Sequence, residues 1–224
     1  MIFNDDVLFI HIGKTGGMSC SEFLLRNLSG TVYNCHKTAL KECERKGIEG
    51  VICKEGIQRH CTLAEALDYL GSFTPKDIKS FKKIIAVIRH PYTLEYSFYN
   101  HLRKPIVQEQ RRGNGQLELA EMAMGDFQTF INHAGYHRID HPQEKFFLIN
   151  GEVPENLHLV RFENLEEEFI DAVQPYLKVD AELSFPKRNS SRPESGIEQV
   201  LTEEMRNSIY SKHKYMFDKG YYEK

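Results

Sequence analysis

Short apolar runs alternate along this chain with segments in which apolar residues recur at helical spacing. Four of the runs contain β-branched residues and are five or six residues long, which predicts buried strands at residues 7–12, 31–35, 84–88 and 157–162. Strands that alternate with helices predict an α/β fold, in which a mostly parallel sheet is flanked by helices. Ligands of such folds bind at the carboxyl ends of the strands.

Capping residues mark several helix boundaries. Thr62 is followed three residues later by Glu65, which is the pattern of a capping box and predicts a helix start. The last helix is predicted to begin near Thr202 and to end at Gly220, because apolar residues and a histidine recur four apart between them. Residues 117–134 carry apolar residues at helical spacing and predict one helix, whereas residues 103–116, rich in Arg, Gln, Gly and Asn, predict a surface loop.

The composition is that of an ordinary globular domain. The 224 residues are 41% hydrophobic and 27% charged, so a single domain over residues 1–224 is expected. The net charge of −3 argues against a general nucleic-acid binder, which needs a strongly basic face. Basic residues cluster at 41–46, 103–112 and 187–192, and the first cluster is expected to be a solvated face.

The lengths of the apolar segments and the spacing of the cysteines argue against two further classes, membrane-spanning proteins and zinc-binding proteins. No apolar segment approaches the ~20 residues that cross a bilayer, so no membrane span is expected. The five cysteines show no spacing typical of a zinc site, and reduced thiols are expected.

The first predicted strand runs into a loop with one lysine, two adjacent glycines and two hydroxyl residues. Lys14 is followed by Thr15, Gly16 and Gly17, and Ser19 lies where the next helical pattern begins. Backbone N–H groups at the start of a helix, together with the helix dipole, attract anions. These features predict a site for a phosphate-like group, although the usual phosphate loop places its lysine after the glycines and not before them. A tight connection without a ligand is the alternative.

A second predicted strand also ends in a cation. Arg89 directly follows the run at 84–88, and helical spacing begins at Tyr92. A guanidinium at this position is suited to bind a second phosphate through two hydrogen bonds, whereas a surface ion pair is the alternative for Arg89 taken alone. Ser97 lies two turns into the helix that follows.

Together, the two segments resemble the sulfotransferase superfamily, specifically its carbohydrate-type branch of heparan- and chondroitin-type enzymes and bacterial family 2 relatives. Residues 13–19 are similar to its 5′-phosphosulfate loop, usually Pro-Lys-Thr-Gly-Gly-Thr-Ser. Residues 89–99 are similar to its 3′-phosphate segment, usually Arg-Asn-Pro-Tyr-x-Arg-x-x-Ser-x-Tyr. Residues 160–165 and 187–191 look like a later strand-to-helix join and an Asn-x-Ser loop of that family. The implied fold is the sulfotransferase fold, which is similar to that of the P-loop nucleoside triphosphatases.

Three positions depart from the pattern of the family. Gly13 stands where proline is usual, Met18 where threonine is usual, and Leu94 where arginine is usual. The last two changes remove one hydroxyl and one supporting charge from the implied phosphate sites. None of them removes Lys14 or Arg89, so binding of the family's donor is still expected.

The resemblance implies in-line transfer of a sulfuryl group from 3′-phosphoadenosine 5′-phosphosulfate to a hydroxyl, without a metal ion. Lys14 is implied to be catalytic and to stabilise the leaving phosphate oxygen. The residues implied to bind the donor are Lys14, Thr15, Gly16, Gly17, Met18 and Ser19 at its 5′ end, Arg89 and Ser97 at its 3′-phosphate, and Ser190 and Arg192, which close over the nucleotide.

An acceptor hydroxyl also needs a general base, and histidine titrates in the right range. His60 is predicted as this base, because residues 59–65 look like the His-x-Thr-x-x-Glu segment of bacterial relatives. A histidine that only packs near a helix start is the alternative. His36 is the second candidate and Glu55 the third, whereas His11, on a buried strand, is expected to be structural.

The acceptor itself is not encoded in any motif. A glycan, a lipid-linked sugar or a small hydroxylated metabolite is expected, and no oligomeric state is indicated. Residues His137, His141 and Gln143 either line the acceptor cleft or lie in an exposed loop. Animal members of the resembled branch carry a Golgi membrane anchor that is not visible here, which favours a bacterial cytoplasmic enzyme or an excised catalytic domain.

Two other classes of protein stay open. A P-loop kinase needs magnesium and an acidic residue at a strand end, whereas Asp5 and Asp6 precede the first strand. A catalytically silent nucleotide- or glycan-binding module of the same fold is the second alternative.

Overall fold

The computed structural model describes residues 1–113, 117–133, 142–186 and 197–224. The chain forms two compact units. The first comprises Met1–Ile88 and Lys145–Asn189, and the second comprises Arg89–Glu144 and Ser190–Lys224.

The first unit contains a six-stranded sheet. Its strands are β1 (Ile2–Phe3), β2 (Val7–Ile10), β3 (Val32–Asn34), β4 (Val51–Cys53), β5 (Lys83–Ile88) and β6 (Leu157–Arg161). They lie in the order β4-β3-β1-β2-β5-β6. The pairs β2–β5, β5–β6 and β3–β4 are parallel, and only β1 runs antiparallel to its neighbours. The predicted α/β class with a mostly parallel sheet is confirmed.

Among the described residues, four α-helices belong to the first unit, and the helices are numbered in chain order over both units. They are α1 (Gly17–Asn27), α2 (Ala39–Lys46), α3 (Leu63–Gly71) and α8 (Leu165–Val173). The capping box predicted at the start of α3 is present: Thr62 Oγ1 accepts the Glu65 N–H, and the Glu65 carboxylate accepts the Thr62 N–H. A short 3₁₀ turn, Phe162–Asn164, joins β6 to α8.

Alternate residues of the strands pack into aromatic clusters on the two faces of the sheet. Phe9 of β2 and Phe23 of α1 each meet Phe169 of α8 edge-on, with ring centroids 5.7 and 6.2 Å apart. Phe3 of β1 points the other way and stacks on Tyr33 at 4.6 Å. One cluster therefore joins α1 and α8 to β2, directly behind the loop that leaves this strand.

The second unit is helical in its described part. Its helices are α4 (Pro91–Leu102), α5 (Pro105–Gly113), α6 (Leu117–Met122), α7 (Phe127–His133), α9 (Ile197–Val200), α10 (Glu203–Lys212) and α11 (Lys214–Asp218). A buried pair joins α4 to the end of α10, where His213 Nε2 lies 2.8 Å from Glu95 Oε1. Burial raises the pKa of Glu95, but the His213 hydrogen bond and the charge of nearby Lys212 lower this pKa by more than burial raises it. The pKa of Glu95 therefore lies below its usual value.

Two of the predicted elements in this unit are wrong. The surface loop expected at 103–116 forms α5 instead, because Pro105 suits the first helical position and Val107 is buried. The single helix expected at 117–134 is two helices. Asp126 starts the second one, since its carboxylate accepts the N–H of Thr129 at 2.8 Å.

The last predicted helix is confirmed at its start and interrupted later. Thr202 Oγ1 accepts the N–H of Met205 at 3.2 Å and caps α10, which starts next to Thr202 as expected. The chain then leaves helical geometry at His213, with φ −113° and ψ 29°, before α11 begins. The buried contact of His213 with Glu95 provides a tertiary reason for the break.

Candidate active site

The loop between β2 and α1 has an unusual backbone. Lys14 has φ 64° and Gly16 has φ 78°, both in the left-handed region. That conformation costs a non-glycine residue about 1 kcal/mol, so Lys14 is held there by its surroundings. Thr15 contributes to the turn, because it is fully buried and its Oγ1 donates to the Ile12 carbonyl at 3.0 Å. Thr15 can therefore offer a ligand its backbone N–H, whereas its hydroxyl proton is already used.

Both glycines of the loop are required by close packing. A methyl group at Gly17 would lie 2.1 Å from Cδ2 and 2.3 Å from Nε2 of the His11 ring. A methyl group at Gly16 would lie 2.6 Å from a side-chain carbon of Leu165 and 3.2 Å from the Phe162 ring. Residues 160–165, which look like the strand-to-helix join of the resembled family, therefore lie against this loop.

The start of α1 has the features of an anion site. Gly16, at the N-cap, offers no side-chain cap, and the first turn contains no acidic residue. The carbonyl of Gly16 accepts the N–H of Ser19 at 2.9 Å, which sets the first turn. Gly17 and Met18 precede the first intrahelical bonds, so their N–H groups and the helix dipole face the loop that carries Lys14.

His60 lies beside the same loop. Its Nδ1 is 2.9 Å from the backbone carbonyl of His11, and the two imidazoles meet edge to face at 4.6 Å. A carbonyl only accepts hydrogen bonds, so Nδ1 carries the hydrogen and the lone pair of the neutral ring is on Nε2. The structure thus brings the predicted base to the residue that directly follows β2, in a tautomer suited to proton abstraction.

The other histidine candidates are less suited to act as bases. Burial, followed by nearby His60 and Arg59, lowers the pKa of His11 well below its usual value. Nδ1 of His36 accepts the N–H of Thr38 at 3.3 Å, so Nε2 carries the hydrogen and faces Glu42 at 2.7 Å. Burial lowers the pKa of His36 on balance, although the Glu42 contact raises it. Both ring nitrogens of His36 are therefore engaged.

The third candidate base has a structural contact. Glu55 is exposed, and its Oε1 accepts the N–H of Leu40 at 3.3 Å, near the start of α2.

A buried charge network supports the His60 segment, although no motif predicts it. Glu42 of α2 lies 2.8 Å from Nη2 of Arg59, 2.9 Å from Nζ of Lys46 and 2.7 Å from His36. Lys46 also lies 3.4 Å from Glu22 of α1. The expectation of a solvated face at 41–46 is wrong for Lys46, whose side chain is 5% exposed. Because Glu42 and Lys46 are one helical turn apart, their spacing was a local signal for this network.

Glu42 is ionised over the whole physiological range. Burial raises its pKa, but the hydrogen bonds from His36 and Lys46 and the charge of Arg59 lower it more, to about 2. An ionised and buried carboxylate is a fixed anchor for the cations around it.

Glu42→Gln is expected to reduce the acid sensitivity of folding. The pKa of Glu42 is about 2 in the folded chain against the ordinary 4.5, so its charge stabilises the fold above pH 4.5. That contribution, about 3 kcal/mol at neutral pH, decreases as pH falls through 4.5 towards 2. Urea unfolding at pH 5 and pH 3 measures it, and the difference between wild type and variant should shrink by roughly half.

Glu44→Gln, an exposed change on the same helix, is the matched control and should leave the pH dependence unaltered. Identical pH dependence in wild type and Glu42→Gln would contradict the role of Glu42.

In the second unit, Arg89 is held by a buried glutamine. The N–H of Arg89 donates to Oε1 of Gln143, and Nε2 of Gln143 donates to the carbonyl of Arg89, both at 2.8 Å. Gln143 is 2% exposed. It therefore neither lines a cleft nor lies in an exposed loop, as the sequence had suggested, but fixes the backbone from which the Arg89 side chain extends.

The side chain of Arg89 is aligned with α4. Its Nε donates to Oγ1 of Thr93 at 3.1 Å, and Thr93 in turn donates to the carbonyl of His90. Ser97 is buried and lies one turn beyond Thr93, on the same side of the helix. Arg89, Thr93 and Ser97 thus form one polar row in this unit. Thr93 was not predicted, although its spacing of four from both partners was visible.

Four predicted site residues lie outside the described residues. They are His137, His141, Ser190 and Arg192.

The described residues contain neither a group of metal-ligating side chains nor a helix that could span a membrane. Within residues 1–113, 117–133, 142–186 and 197–224, no three His, Cys, Asp or Glu side chains are grouped as metal ligands. Over the same residues, every helix is too short or too polar to cross a bilayer. All five cysteines are thiols.

Comparison with solved structures gives proteins that are similar to this chain in structure. No protein-family profile matches this chain. No curated protein matches it either. A sulfotransferase from Alicyclobacillus acidocaldarius is similar in structure, with a TM-score of 0.43 and 12% identity over 96% of each chain. A mouse sulfotransferase complexed with PAP has a TM-score of 0.40 and 14% identity, over 94% of this chain and 66% of the mouse chain. At these TM-scores neither likeness indicates what this chain binds. An argument about its ligand has to be made from the residues of this chain.

Proposed function

We propose that this chain is a sulfotransferase that moves a sulfuryl group from 3′-phosphoadenosine 5′-phosphosulfate to a hydroxyl of a glycan or a small glycan-like metabolite. The observation that carries the proposal is the start of α1, a helix end without a side-chain cap or carboxylate that follows the Lys14 loop. A histidine of suitable tautomer lies against the residue that begins this loop.

The loop fits the 5′ end of such a donor. A phosphosulfate is anionic, and the helix end offers it backbone N–H groups and a favourable dipole. Gly16 and Gly17 leave no side chain in front of these N–H groups, and the contacts of both glycines leave no room for one. Thr15 contributes its N–H, and Ser19, at the first turn, contributes its own side chain from a buried position.

The donor supplies a sulfuryl group on a phosphate leaving group. Lys14 balances the negative charge that grows on the leaving oxygen as its bond to sulfur breaks and the bond from sulfur to the acceptor oxygen forms. His60 takes the acceptor proton on Nε2, while its Nδ1–H stays bonded to the His11 carbonyl. Catalysis in this scheme is positioning and charge compensation, and no metal is assigned a role in it.

The 3′-phosphate is assigned to the polar row of the second unit. Arg89 supplies the charge, and the hydroxyls of Thr93 and Ser97 lie along the same helix face. Arginine suits this task because its planar fork matches two phosphate oxygens. The carbohydrate-type branch and the single sulfotransferase domain over residues 1–224 are parts of the same proposal.

Donor binding and turnover together test the proposed function. Calorimetry with adenosine 3′,5′-bisphosphate should show binding to the purified chain, whereas ATP with magnesium should bind more weakly. Incubation with sulfur-labelled donor and fractionated extracts should then label an acceptor. Absence of heat with the bisphosphate would refute the proposal, and binding without any labelled product would favour a silent binding module.

His60→Ala is expected to lower the rate of transfer by about a hundredfold or more while the affinity for adenosine 3′,5′-bisphosphate stays within about twofold. The reason is that the proton acceptor is lost, whereas the groups that hold the donor are kept. Single-turnover rates and calorimetry measure the two effects separately. His158→Gln, on the edge strand β6, is the matched control and should keep the wild-type rate. An unchanged rate in His60→Ala would exclude His60 as the base.

Arg89→Lys is expected to weaken adenosine 3′,5′-bisphosphate about tenfold and adenosine 5′-monophosphate hardly at all. The lysine keeps one charge but lacks the fork and the Nε–H that bonds Thr93. Isothermal titration with the two nucleotides separates loss of the 3′ contact from a general defect. Equal weakening of both would show that Arg89 acts on the fold and not on the 3′-phosphate.

A further inference from the structure

Arg59 precedes the predicted base and contacts the candidate anion loop. Its Nη2 donates to Oε2 of Glu42 at 2.8 Å, and its Nη1 lies 2.6 Å from Sδ of Met18. Met18 is the second residue of α1, at the helix end that faces the loop. The Arg59 side chain is 27% exposed, so one side of the guanidinium is anchored in the interior and the remainder reaches the loop surface.

In the contact with Met18, the strong donor Nη1 of Arg59 meets a weak acceptor, the thioether sulfur. A thioether sulfur accepts hydrogen bonds poorly, whereas an oxygen of a phosphate or sulfate accepts charge-assisted bonds from arginine readily. An anionic group bound at the start of α1 would therefore be a better partner for Nη1 than the sulfur is. Because Met18 stands where the resembled family has threonine, the arginine also supplies a donor on the side where a hydroxyl is lost.

Neutralising Glu42 does not by itself account for Arg59. Glu42 is already bonded to Lys46 at 2.9 Å and to His36 at 2.7 Å. Salt bridges of the network join two carboxylates, Glu22 and Glu42, to three cations, Arg26, Lys46 and Arg59. The cluster thus carries more positive than negative charge, and Arg59 is its member on the loop side.

We propose that Arg59 is a second cationic residue of the donor site, which binds the charged 5′ group of the donor and is positioned for this by Glu42. This inference rests on the proposed function and names a residue that the motifs do not include. Glu42 holds the guanidinium before a ligand arrives, so little side-chain freedom is lost on binding. Arg59 and Lys14 then act on the same end of the donor.

Two nucleotides that differ only at the 5′ position test the inference. Wild type, Arg59→Ala, Arg59→Lys and Glu42→Gln are titrated with adenosine 3′,5′-bisphosphate and with adenosine 3′-monophosphate. Arg59→Ala should weaken the bisphosphate about tenfold and leave the monophosphate within about twofold. Arg59→Lys and Glu42→Gln should give smaller losses for the bisphosphate alone, since the first keeps the charge and the second keeps the arginine. Arg45→Ala, an exposed change on α2, is the matched control and should alter neither affinity.

The possible results separate this inference from the proposed function. If Arg59→Ala weakens both nucleotides equally, or weakens neither, Arg59 does not contact the 5′ group and the inference is wrong. If wild type binds neither nucleotide, the proposed function itself fails. Thermal unfolding of each variant checks that the fold is kept, and Glu42→Gln and Arg59→Lys keep the test decisive should Arg59→Ala not fold.

Discussion

Lys14→Ala should lower the rate of sulfuryl transfer by about a hundredfold to a thousandfold, the range seen when one group that stabilises developing charge is removed. The loss is expected in the chemical step, because Lys14 is assigned to the oxygen that becomes negative as the bond to sulfur breaks. Adenosine 3′,5′-bisphosphate should bind only several-fold more weakly, since the helix end and Arg89 are kept. Single-turnover rates with saturating donor measure the first effect, and calorimetry the second.

Two companion variants separate charge from backbone strain at this position. Lys14→Gly adopts φ 64° without strain, so it should fold at least as well as Lys14→Ala and still lose turnover. Lys41→Ala removes an exposed lysine of α2 and should keep the wild-type rate. Near-normal turnover in either Lys14 variant would show that this lysine has no part in the chemical step.

Gly17→Ala is expected to destabilise the fold by about 1–3 kcal/mol and to abolish donor binding. The new methyl group would lie 2.1 Å from the His11 ring, which is itself packed in the interior. Either the helix start or the imidazole has to move, and both changes disturb the N–H groups that face the anion. Urea unfolding and calorimetry with adenosine 3′,5′-bisphosphate measure the two effects.

Gly71→Ala is the matched control for this change. Gly71 ends α3, has an ordinary φ, and a methyl group there would meet nothing within 4 Å. Alanine at this position should be neutral or slightly stabilising, because it favours the helix and restricts the unfolded chain. If Gly17→Ala behaved like Gly71→Ala, the close approach of His11 would not be what requires glycine in the loop.

Strands and helix starts that depend on neighbouring residues could be predicted from the sequence. The strands β2, β5 and β6 are apolar runs of the right length, and their cores lie where the runs predicted them. The capping box of Thr62 and Glu65 depends on residues three positions apart and is present, and α10 starts next to Thr202 as predicted. Signals of this kind need no knowledge of the rest of the chain, which is why they were reliable here.

Elements that depend on distant partners were missed. β1 is only two residues long, and it exists because β2 and β3 bond it on both sides. The helix α5 was read as a loop because its composition is polar, although tertiary bonds hold it: Gln108 donates to the carbonyls of Leu102 and Ala120. Composition alone does not report such contacts.

The same division applies to the candidate site. The loop with Lys14 follows from its own residues, and the choice of His60 came from a local segment. The partners that position His60 and its neighbour Arg59 are separated along the chain, as Glu42 lies 17 residues before Arg59. Their proximity is a property of the fold. Gln143, which lies 54 residues from Arg89 and was read as a cleft or loop residue, illustrates the same limit.

His11 makes two contacts that act on opposite partners of the proposed reaction. Its carbonyl orients the His60 ring, and its own ring abuts Gly17 at the start of α1. His11 therefore sets the distance between His60, the proposed proton acceptor, and the start of α1, where the leaving group is proposed to bind. To redirect this protein to a new acceptor, His11 should therefore be left unchanged, and only residues other than His11 and its two contacts should be varied.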